Sequence, residues 1–322
     1  MRLNGNRFVI IGRAGMDFYP DPPGTKTEEA TRFFACLGGS SANIGVAITK
    51  LGGSADLVTC VSDDAIGRFA LNELDKYGIG RAHVRSVGGE ARNSLAVVES
   101  RIEDHQSVIY RNGAADFEMT VADVEAVDFT AYDALITTGT VFASEPSRTA
   151  AFRGFELAKS AGLPLIFDID YRPYSWPSAQ VATDVYSRAG ALCDVIVGND
   201  VEFGFMAGDY ARGLDKAREL VAQGAKLAVY KMGEKGAITI MADGEITTGI
   251  FPTQALKPTG AGDSFMGGLV AGLADGLSLR EAVLQGSANA AMVVARVGCA
   301  PAMPTRAELD DFLKRHADSS AA

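Results

Sequence analysis

The stretch KPTGAGDSFMGG combines small residues with one carboxylate in a pattern that suits an anion. Gly260, Ala261 and Gly262 leave backbone N–H groups accessible, and a helix-like segment follows them. A helix N-terminus carries unpaired N–H groups and a partial positive charge, so the turn predicts an anion-binding site. On these residues alone Asp263 has two interpretations: it caps the helix, or it is a general base for a substrate hydroxyl.

Two common phosphate-binding templates do not describe this stretch. It lacks the Gly-Lys-Ser/Thr of a Walker P-loop and the Gly-x-Gly-x-x-Gly of a dinucleotide-binding turn. A Rossmann oxidoreductase is therefore a distant alternative, and the anion has to be identified from the rest of the chain.

Further polar residues follow short apolar runs that are typical of strands. In open α/β sheets ligands bind outside the carboxyl ends of the strands, so polar side chains at those ends meet at one edge. Their recurrence predicts a ligand site at that edge. The residues are Asp17, Thr137–Thr140, Asp168, Asp170, Arg172, Asn199, Glu202, Lys231 and Gly233.

The elements that would position these residues alternate between strands and helices. Continuously apolar runs predict parallel strands buried on both faces, as in RFVIIG, YDALITTG, LPLIFDID, CDVIVGND and KLAVYKMG. Helical periodicity fills the segments between them, so we predict an α/β fold with a helix-covered parallel sheet. One such helix, SSANIGVAITKLGG, is predicted to be capped by Ser40 or Ser41 and to end at Gly52.

The pattern changes at about residues 88–115. Here NSLAVVES and QSVIYRN predict two paired strands. With the polar, proline-rich segment at about 13–35 they would form a small β lid on a larger domain. The alternative is an ordinary hairpin at the edge of the large sheet. We expect the whole chain, 1–322, to be a single domain that carries this lid.

Composition excludes several classes of function. The net charge is −10 and the pI about 4.9, with no Lys/Arg block, so nucleic acid is not an expected partner. No apolar run is long enough to span a bilayer. The four cysteines form no Cys-x-x-Cys pair, which favours a reducing, cytoplasmic location. The three histidines lack metal-ligand spacing.

Four stretches together resemble one known family. TGAGDSFMGGLVAGL resembles the C-terminal signature of the ribokinase-like carbohydrate kinases, also called the phosphofructokinase-B family. LGGSSANIGVAITKLGG resembles the family's N-terminal glycine-rich signature, NDVEFG its Asn-x-x-Glu motif, and KMGEKG its nucleotide-site Gly-x-x-Gly. The four motifs keep the family's order from about Phe8 to Pro304.

The resemblance implies a fold and an activity. The fold would be a three-layer α/β/α sandwich with a small β-sheet lid that often forms the dimer contact, so a homodimer is expected. The activity would be phosphorylation of a sugar hydroxyl by ATP with Mg²⁺, and a monovalent cation is a further expected cofactor.

The resemblance also implies residue roles. Asp263 would be the catalytic base, and the amides of Gly260, Ala261 and Gly262 would form the anion hole. Sugar hydroxyls would be held by Asp17, Gly39 and Asn43. ATP would be bound by Asn199, Lys231, Gly233, Gly236, Gly260, Gly262 and Asn289, while Glu202 and Asn199 would organise Mg²⁺ indirectly.

The sequence departs from the family pattern in two places. Lys257 and Pro258 stand where the signature most often has Asp-Thr, so a cation replaces an acid and a backbone donor is lost. Lys231 stands where a small hydroxyl residue often precedes the nucleotide-site glycines, and it would reach a phosphate or face solvent. Neither change touches Asp263, so we expect activity to survive.

The substrate is indicated by arginines. DIDYRPYSWPS resembles a stretch of sugar-acid and fructose kinases, with Asp170 in an Asn position. Arg172 would bind a substrate carboxylate or form an internal ion pair with Asp168 or Asp170. IGRAGMDFYPDPPGT and YRNGAADFEMT most resemble the bacterial kinases of 5-dehydro-2-deoxygluconate in inositol breakdown, which adds Arg13 and Arg111 as candidate contacts.

The sequence therefore predicts a kinase that phosphorylates 5-dehydro-2-deoxygluconate on its primary hydroxyl, giving the 6-phosphate. Kinases of 2-keto-3-deoxygluconate or fructose are alternatives in the same class. A sugar- or nucleotide-binding sensor without catalysis is the alternative from another class, and only Lys257–Pro258 favours it.

Overall fold

The computed structural model describes residues 3–316, so the ends of the predicted domain, 1–2 and 317–322, lie outside the described residues. The strands are β1 Arg7–Ile11, β2 Gly15–Pro20, β3 Phe33–Gly38, β4 Ser54–Ser62, β5 Gly80–Val87, β6 Leu95–Val98, β7 Ser107–Tyr110, β8 Ala134–Thr138, β9 Leu165–Asp168, β10 Val195–Asn199, β11 Leu227–Lys231, β12 Ala237–Met241 and β13 Gly244–Thr248. The helices are α1 Ser40–Lys50, α2 Ala65–Lys76, α3 Val121–Glu125, α4 Ser147–Ser160, α5 Ala179–Leu192, α6 Asp200–Ala207, α7 Gly213–Ala222, α8 Ala261–Ala274, α9 Leu279–Val294 and α10 Arg306–Arg315.

Nine strands form a large sheet in the order β13-β12-β11-β10-β9-β8-β1-β4-β5. Pairing is parallel from β11 to β5, and β12 and β13 are added antiparallel. The register places Asp168 beside Thr138 and Val197, and pairs Asn199 with Lys231. The predicted parallel sheet is confirmed, and its polar strand ends share one edge.

Helices cover both faces of this sheet. Alternate residues of β1 are buried on opposite faces of the sheet. Val9 and Ile11 belong to one buried apolar cluster, whereas Phe8 and Ile10 belong to a second on the other face. Buried parallel strands are apolar on both faces for this reason. The predicted three-layer α/β/α sandwich is therefore confirmed. None of the helices within residues 3–316 has the length and apolar character needed to cross a membrane.

A second sheet of four strands, β3-β2-β6-β7, lies apart from the large one and forms the lid. β6 and β7 pair antiparallel with each other, and β6 pairs with β2 rather than with any strand of the large sheet. The edge-hairpin alternative is therefore wrong. The lid strands occupy 15–20, 33–38, 95–98 and 107–110, so β3 runs three residues past the predicted limit of about 35.

The two faces of the lid differ in their surroundings. Strand residues that share a register position point to the same face, so Asp17, Cys36, Ala96 and Ile109 form the inner face. The outer face carries apolar side chains that remain exposed: Phe33 at 42%, Val108 at 46% and Tyr110 at 63%. Large exposed apolar patches on protein surfaces often mark contact sites.

The start of α1 differs from the prediction. Gly39 is the N-cap residue, and no side chain caps this helix; Ser40 and Ser41 are its first two residues. Gly39 has φ 95°, and a Cβ there would lie 2.6 Å from the Arg13 carbonyl oxygen. A serine cap would need an extended backbone that this close approach does not allow. Gly52, with φ 91°, follows the helix end as predicted.

Candidate active site

A cavity of about 820 Å³ lies between the carboxyl edge of the large sheet and the inner face of the lid. The lid contributes Ala96, Val98 and Ile109 to its lining. The cavity gathers most of the residues predicted from sequence: Arg13, Asp17, Gly39, Asn43, Asp170, Arg172, Asn199, Glu202, Lys231, Gly233, Gly236, Gly260, Ala261, Gly262 and Asp263. It does not gather Arg111 or Asn289.

The turn before α8 presents free backbone donors. We call Thr259–Gly262 the anion loop. Gly260 is the N-cap with φ 87°, and a Cβ there would lie 2.7 Å from the Cys299 sulfur, so the loop requires glycine. Within residues 3–316 the N–H groups of Gly260, Ala261 and Gly262 donate to no backbone acceptor. Three free donors at a helix N-terminus suit an anion.

Asp263 does not cap α8. It is the third residue of the helix, and the N-cap position has no side-chain hydrogen bond, so the cap interpretation is wrong. The carboxylate instead accepts a hydrogen bond of 2.8 Å from Nδ2 of Asn43, a residue of α1. It lines the cavity next to the anion loop. This position leaves Asp263 available for proton transfer.

The charge state of Asp263 is set by its surroundings. Burial raises the pKa of this carboxyl to about 7, and the nearby Asp170 carboxylate also acts to raise it. The hydrogen bond from Asn43 and the charges of Arg172 and Arg13 act in the opposite direction. A carboxyl with a pKa near the working pH is well suited to accept and release a proton.

Asp17 and Arg13 line the lid side of the cavity. Burial raises the pKa of Asp17 to about 6, while the Arg13 charge opposes that rise. Arg13 is buried, and its Nη1 donates 3.2 Å to the hydroxyl of Ser94. Its Nε has no hydrogen-bond partner, and Arg13 forms no ion pair with any acid in the described part of the chain. It is thus a buried guanidinium at the cavity wall that makes no direct ion pair, although the Asp17, Asp170 and Asp263 carboxylates lie close enough to interact with its charge.

Arg172 differs from Arg13 because it already has a partner. Its Nη2 lies 2.7 Å from Oδ1 of Asp170, which is the internal ion pair named as the alternative to substrate binding. The side chain of Arg172 is 38% exposed. Asp170 is held at φ 37°, a left-handed conformation that is uncommon outside glycine and often marks functional sites. The Arg172 charge keeps the pKa of Asp170 below its usual value, although burial opposes this.

Two predicted contacts lie elsewhere. Arg111 is buried, pairs with Asp116, and donates to the carbonyl of Thr140, so its guanidinium is used inside the protein. Asn289 is fully buried between α8 and α9, where its Nδ2 donates 3.2 Å to the Ser264 carbonyl. Neither residue lines the cavity. In both cases a hydrogen bond to another group inside the protein holds the side chain away from it.

The Asn-x-x-Glu motif forms the start of α6. Asn199 Oδ1 accepts from the Glu202 N–H at 2.9 Å, and Glu202 Oε2 accepts from the Asn199 N–H at 2.7 Å, which is a capping box. Oε1 of Glu202 also accepts from the N–H of Tyr171. The motif therefore has a structural role that fixes both side chains at the cavity wall.

Two buried carboxyls face one lysine at this wall. Burial raises the pKa of Asp168 well above its usual value, and it also raises the pKa of Glu202. The charge of Lys231 is the main factor that opposes both shifts. Residues 3–316 contain no group of three acidic, His or Cys side chains able to enclose a metal ion. A site with two carboxyls fits a Mg²⁺ bound mainly by phosphate oxygens and water.

Two residues of the site are not assigned a role by the sequence. The sequence marks Asp168 only as a polar strand end, and the structure places it in the cavity wall. Lys257 stands out only as a departure from a signature, yet it is fully buried two residues before the anion loop. The signal for Asp168 is its position after an apolar run. The signal for Lys257 is a lone charge beside a glycine turn.

Comparison with known families and curated proteins gives consistent results. The description "pfkB family carbohydrate kinase" matches residues 6–306. A 5-dehydro-2-deoxygluconokinase of Photobacterium profundum is 35% identical over 311 residues, covering 95% of this chain and 94% of that protein. One of the same name from Geobacillus kaustophilus is 33% identical over 320 residues, covering 98% and 96%.

A solved structure supports the same fold. The aminoimidazole riboside kinase of Salmonella enterica, complexed with aminoimidazole riboside and an ATP analogue, superposes with a TM-score of 0.82. It is 25% identical, and the match covers 96% of this chain and 99% of that one.

Proposed function

The chain belongs to the pfkB family of carbohydrate kinases, and we propose that it transfers the γ-phosphoryl group of ATP to the primary hydroxyl of 5-dehydro-2-deoxygluconate. An ATP-dependent sugar kinase follows from the family. The choice of a sugar acid is supported by relatives that carry this name at 33–35% identity.

The observation that carries the proposal is the buried, unpaired guanidinium of Arg13. Arg13 makes no direct ion pair, although the carboxylates of Asp17, Asp170 and Asp263 interact with its charge from nearby, so its guanidinium can still donate to a ligand carboxylate in the cavity. A carboxylate can accept two hydrogen bonds from a guanidinium, and the free Nε of Arg13 is available for one of them. Fructose has no carboxylate and would leave Arg13 unpaired.

In the proposed reaction Asp263 accepts the proton of the substrate hydroxyl. The hydroxyl oxygen forms a bond to the γ-phosphorus, the bond from that phosphorus to the bridging oxygen breaks, and the electron pair leaves with ADP. A carboxylate is a weak base for a ground-state alcohol, so Asp263 orients the hydroxyl and takes the proton late. Asn43 would keep the accepting carboxylate oxygens aligned.

The anion loop would stabilise charge on the transferring phosphoryl group. Its three free N–H donors are fixed before the reaction, so they need no reorganisation as charge develops. The lid would exclude water from the cavity and prevent hydrolysis of ATP. Mg²⁺, when bound, would neutralise phosphate charge, and Glu202 and Asp168 are the carboxyls that would face it.

We also propose a homodimer that is formed through the lid. The outer face of the lid exposes Phe33, Val108 and Tyr110, and a second copy with the same face would cover all three. Two-fold interfaces of this kind bury the same patch of both subunits.

A substrate panel with ATP and Mg²⁺ tests the function. The release of ADP is measured with 5-dehydro-2-deoxygluconate, 2-keto-3-deoxygluconate and fructose, and kcat/KM is compared among them. The proposal predicts the highest value for 5-dehydro-2-deoxygluconate. If fructose is preferred, the carboxylate-binding role of Arg13 is wrong. If ATP binds tightly but no sugar in the panel is phosphorylated, the result favours the sensor alternative.

A further inference from the structure

Lys257 is buried completely, although it is a lysine at the mouth of a glycine turn. Its Nζ donates to the carbonyl oxygen of Thr259 at 2.6 Å and to that of Val293 at 3.4 Å. No acidic side chain in residues 3–316 forms an ion pair with it. The ammonium is therefore held by backbone carbonyls alone.

Burying a lysine ammonium without an ion pair costs desolvation free energy and so opposes folding. Burial lowers the pKa of the Lys257 ammonium, while Asp263 and Asp17 favour its charged form. Methionine has a similar length and no charge, and it would fill the same space without a desolvation cost. The retention of a charge here requires an explanation beyond packing.

The bond to Thr259 determines the direction of a peptide group. In a planar trans peptide the C=O and the N–H point in opposite directions. The Thr259 carbonyl points to the ammonium of Lys257, so the N–H of Gly260 points away from it. This N–H is one of the three free donors of the anion loop. A charged donor on the carbonyl also polarises the peptide and strengthens its N–H as a donor.

The backbone around Lys257 holds the ammonium in place. The N–H groups of Leu256 and Lys257 both donate to the carbonyl of Val294, at 2.8 and 3.2 Å. Val293 and Val294 are the last residues of α9, whose C-terminal end carries a partial negative charge that favours a cation. Pro258 has a fixed φ and restricts Lys257 to an extended conformation. The segment just before the anion loop is thus tied to the C-terminal end of α9.

We propose that Lys257 is a positioning residue for phosphoryl transfer: its ammonium orients the Thr259–Gly260 peptide and supplies a fixed positive charge beneath the anion loop. The proposal rests on the proposed function for its kinetic consequence but not for its effect on the loop. Because the charge is part of the chain, the loop needs no exchangeable cation to be ordered.

The test compares Lys257→Met with Lys50→Met. Lys50 is a matched control because its Nζ also donates to two backbone carbonyls, those of Pro301 and Met303, and it does not line the cavity. Lys257→Met should lower kcat about 10²-fold, the effect of losing one preorganised donor, with a small change in the KM of the sugar. Lys50→Met should leave kcat within about twofold of the wild type.

Two further measurements separate positioning from a purely structural role. In Lys257→Ala, added ammonium or methylammonium should restore part of kcat, because the small cation fills the space of the lost side chain. The wild type should work equally well in potassium and tetramethylammonium salts. If potassium is required by the wild type, or if Lys257→Met keeps its kcat, the proposal is overturned.

Hydrogen exchange of the Gly260, Ala261 and Gly262 amides needs no turnover. These amides have no backbone acceptor, so their exchange depends on the acidity of the N–H: it should slow in Lys257→Met, which loses the nearby positive charge, and not in Lys50→Met. Equal exchange in all three proteins would overturn the proposal. If the wild type phosphorylates no sugar, the proposed function fails and this measurement still decides the role of Lys257. If Lys257→Met does not fold, the role of Lys257 is tested by comparing wild-type activity in potassium and tetramethylammonium salts, and a requirement for potassium would overturn the proposal.

Discussion

Nδ2 of Asn43 donates a 2.8 Å hydrogen bond to Oδ2 of Asp263, and the two residues are 220 positions apart in the chain. The bond joins the first turns of α1 and α8, which both begin at glycines with positive φ. The proposed base is therefore aligned by the packing of two helices rather than by a flexible loop.

The pH dependence of the wild type is the first prediction. Below its pKa of about 7 the Asp263 carboxyl is protonated and cannot accept the substrate proton. The value of kcat/KM should therefore fall as pH decreases through about 7, with one proton involved. A profile that stays flat down to pH about 5 would contradict the assignment of the base. The measurement is kcat/KM for the sugar at saturating ATP.

Asn43→Ala should shift this profile. The hydrogen bond from Asn43 favours the ionised carboxylate, so its loss raises the pKa of Asp263 further. The acidic limb should move to higher pH by about one unit, which corresponds to one hydrogen bond to a charged group. At high pH the variant should recover most of its rate. A uniform loss of rate at every pH would mean that Asn43 acts in another way.

Asp263→Asn should lower kcat about 10²- to 10⁴-fold with little change in the KM of ATP. The substitution removes a buried charge whose pKa is raised mainly by burial, so the melting temperature should stay the same or rise. Calorimetry on the same samples separates loss of chemistry from loss of folding. Near-wild-type turnover would exclude Asp263 as the base.

Arg13→Met tests the carboxylate site. With 5-dehydro-2-deoxygluconate as the substrate, KM should rise about 10- to 100-fold, because the sugar acid loses charged hydrogen bonds. The loss of the Arg13 charge also raises the pKa of Asp263, so the comparison is made at a pH well above that pKa, where any activity on fructose, which has no carboxylate, should be little affected. Arg172→Met is the matched comparison, because Arg172 already pairs with Asp170. A larger loss in Arg172→Met would reassign the carboxylate to Arg172.

Val108→Asp should convert the proposed dimer into monomers. A charge in the centre of an apolar contact is costly to bury, so association should weaken. Sedimentation velocity over a range of concentrations measures the effect. Val181→Asp is the control, since Val181 is an exposed apolar residue on α5, away from the lid. If the wild type is itself monomeric, the lid is not a dimer contact.

Much of the fold could be predicted because short sequence patterns indicate individual strands and helix ends. The five apolar runs RFVIIG, YDALITTG, LPLIFDID, CDVIVGND and KLAVYKMG contain β1, β8, β9, β10 and β11. The parallel edge strand β5, GRAHVRSV, is polar and buried only at Val87, so an apolar run does not predict it. Some helix ends are also marked locally: the Ser-x-x-Glu spacing of Ser278 and Glu281 is that of a capping box, and the two residues form one at the start of α9. The predicted N-cap of α1 is wrong because the close approach of the Arg13 carbonyl, which is distant in sequence, requires glycine at position 39.

The site was less predictable because its pairings are made in three dimensions. Three arginines are equal candidates in the sequence, and the structure distinguishes them by their partners. Arg111 is held by Asp116, Arg172 is held by Asp170, and Arg13 has no ion-pair partner in the described chain. The burial of Lys257 depends on a carbonyl of α9, 36 residues away, which no local pattern indicates.

The contact between Tyr19 and Cys299 limits how this enzyme can be redesigned. The hydroxyl of Tyr19, on lid strand β2, lies 3.1 Å from the Cys299 sulfur, and that sulfur packs beneath Gly260. The lid and the floor of the anion loop therefore share one buried cluster. A chimera that takes its lid from a relative to change substrate range must also exchange the segment around Cys299. Without that segment the graft would disturb phosphate binding as well as sugar choice.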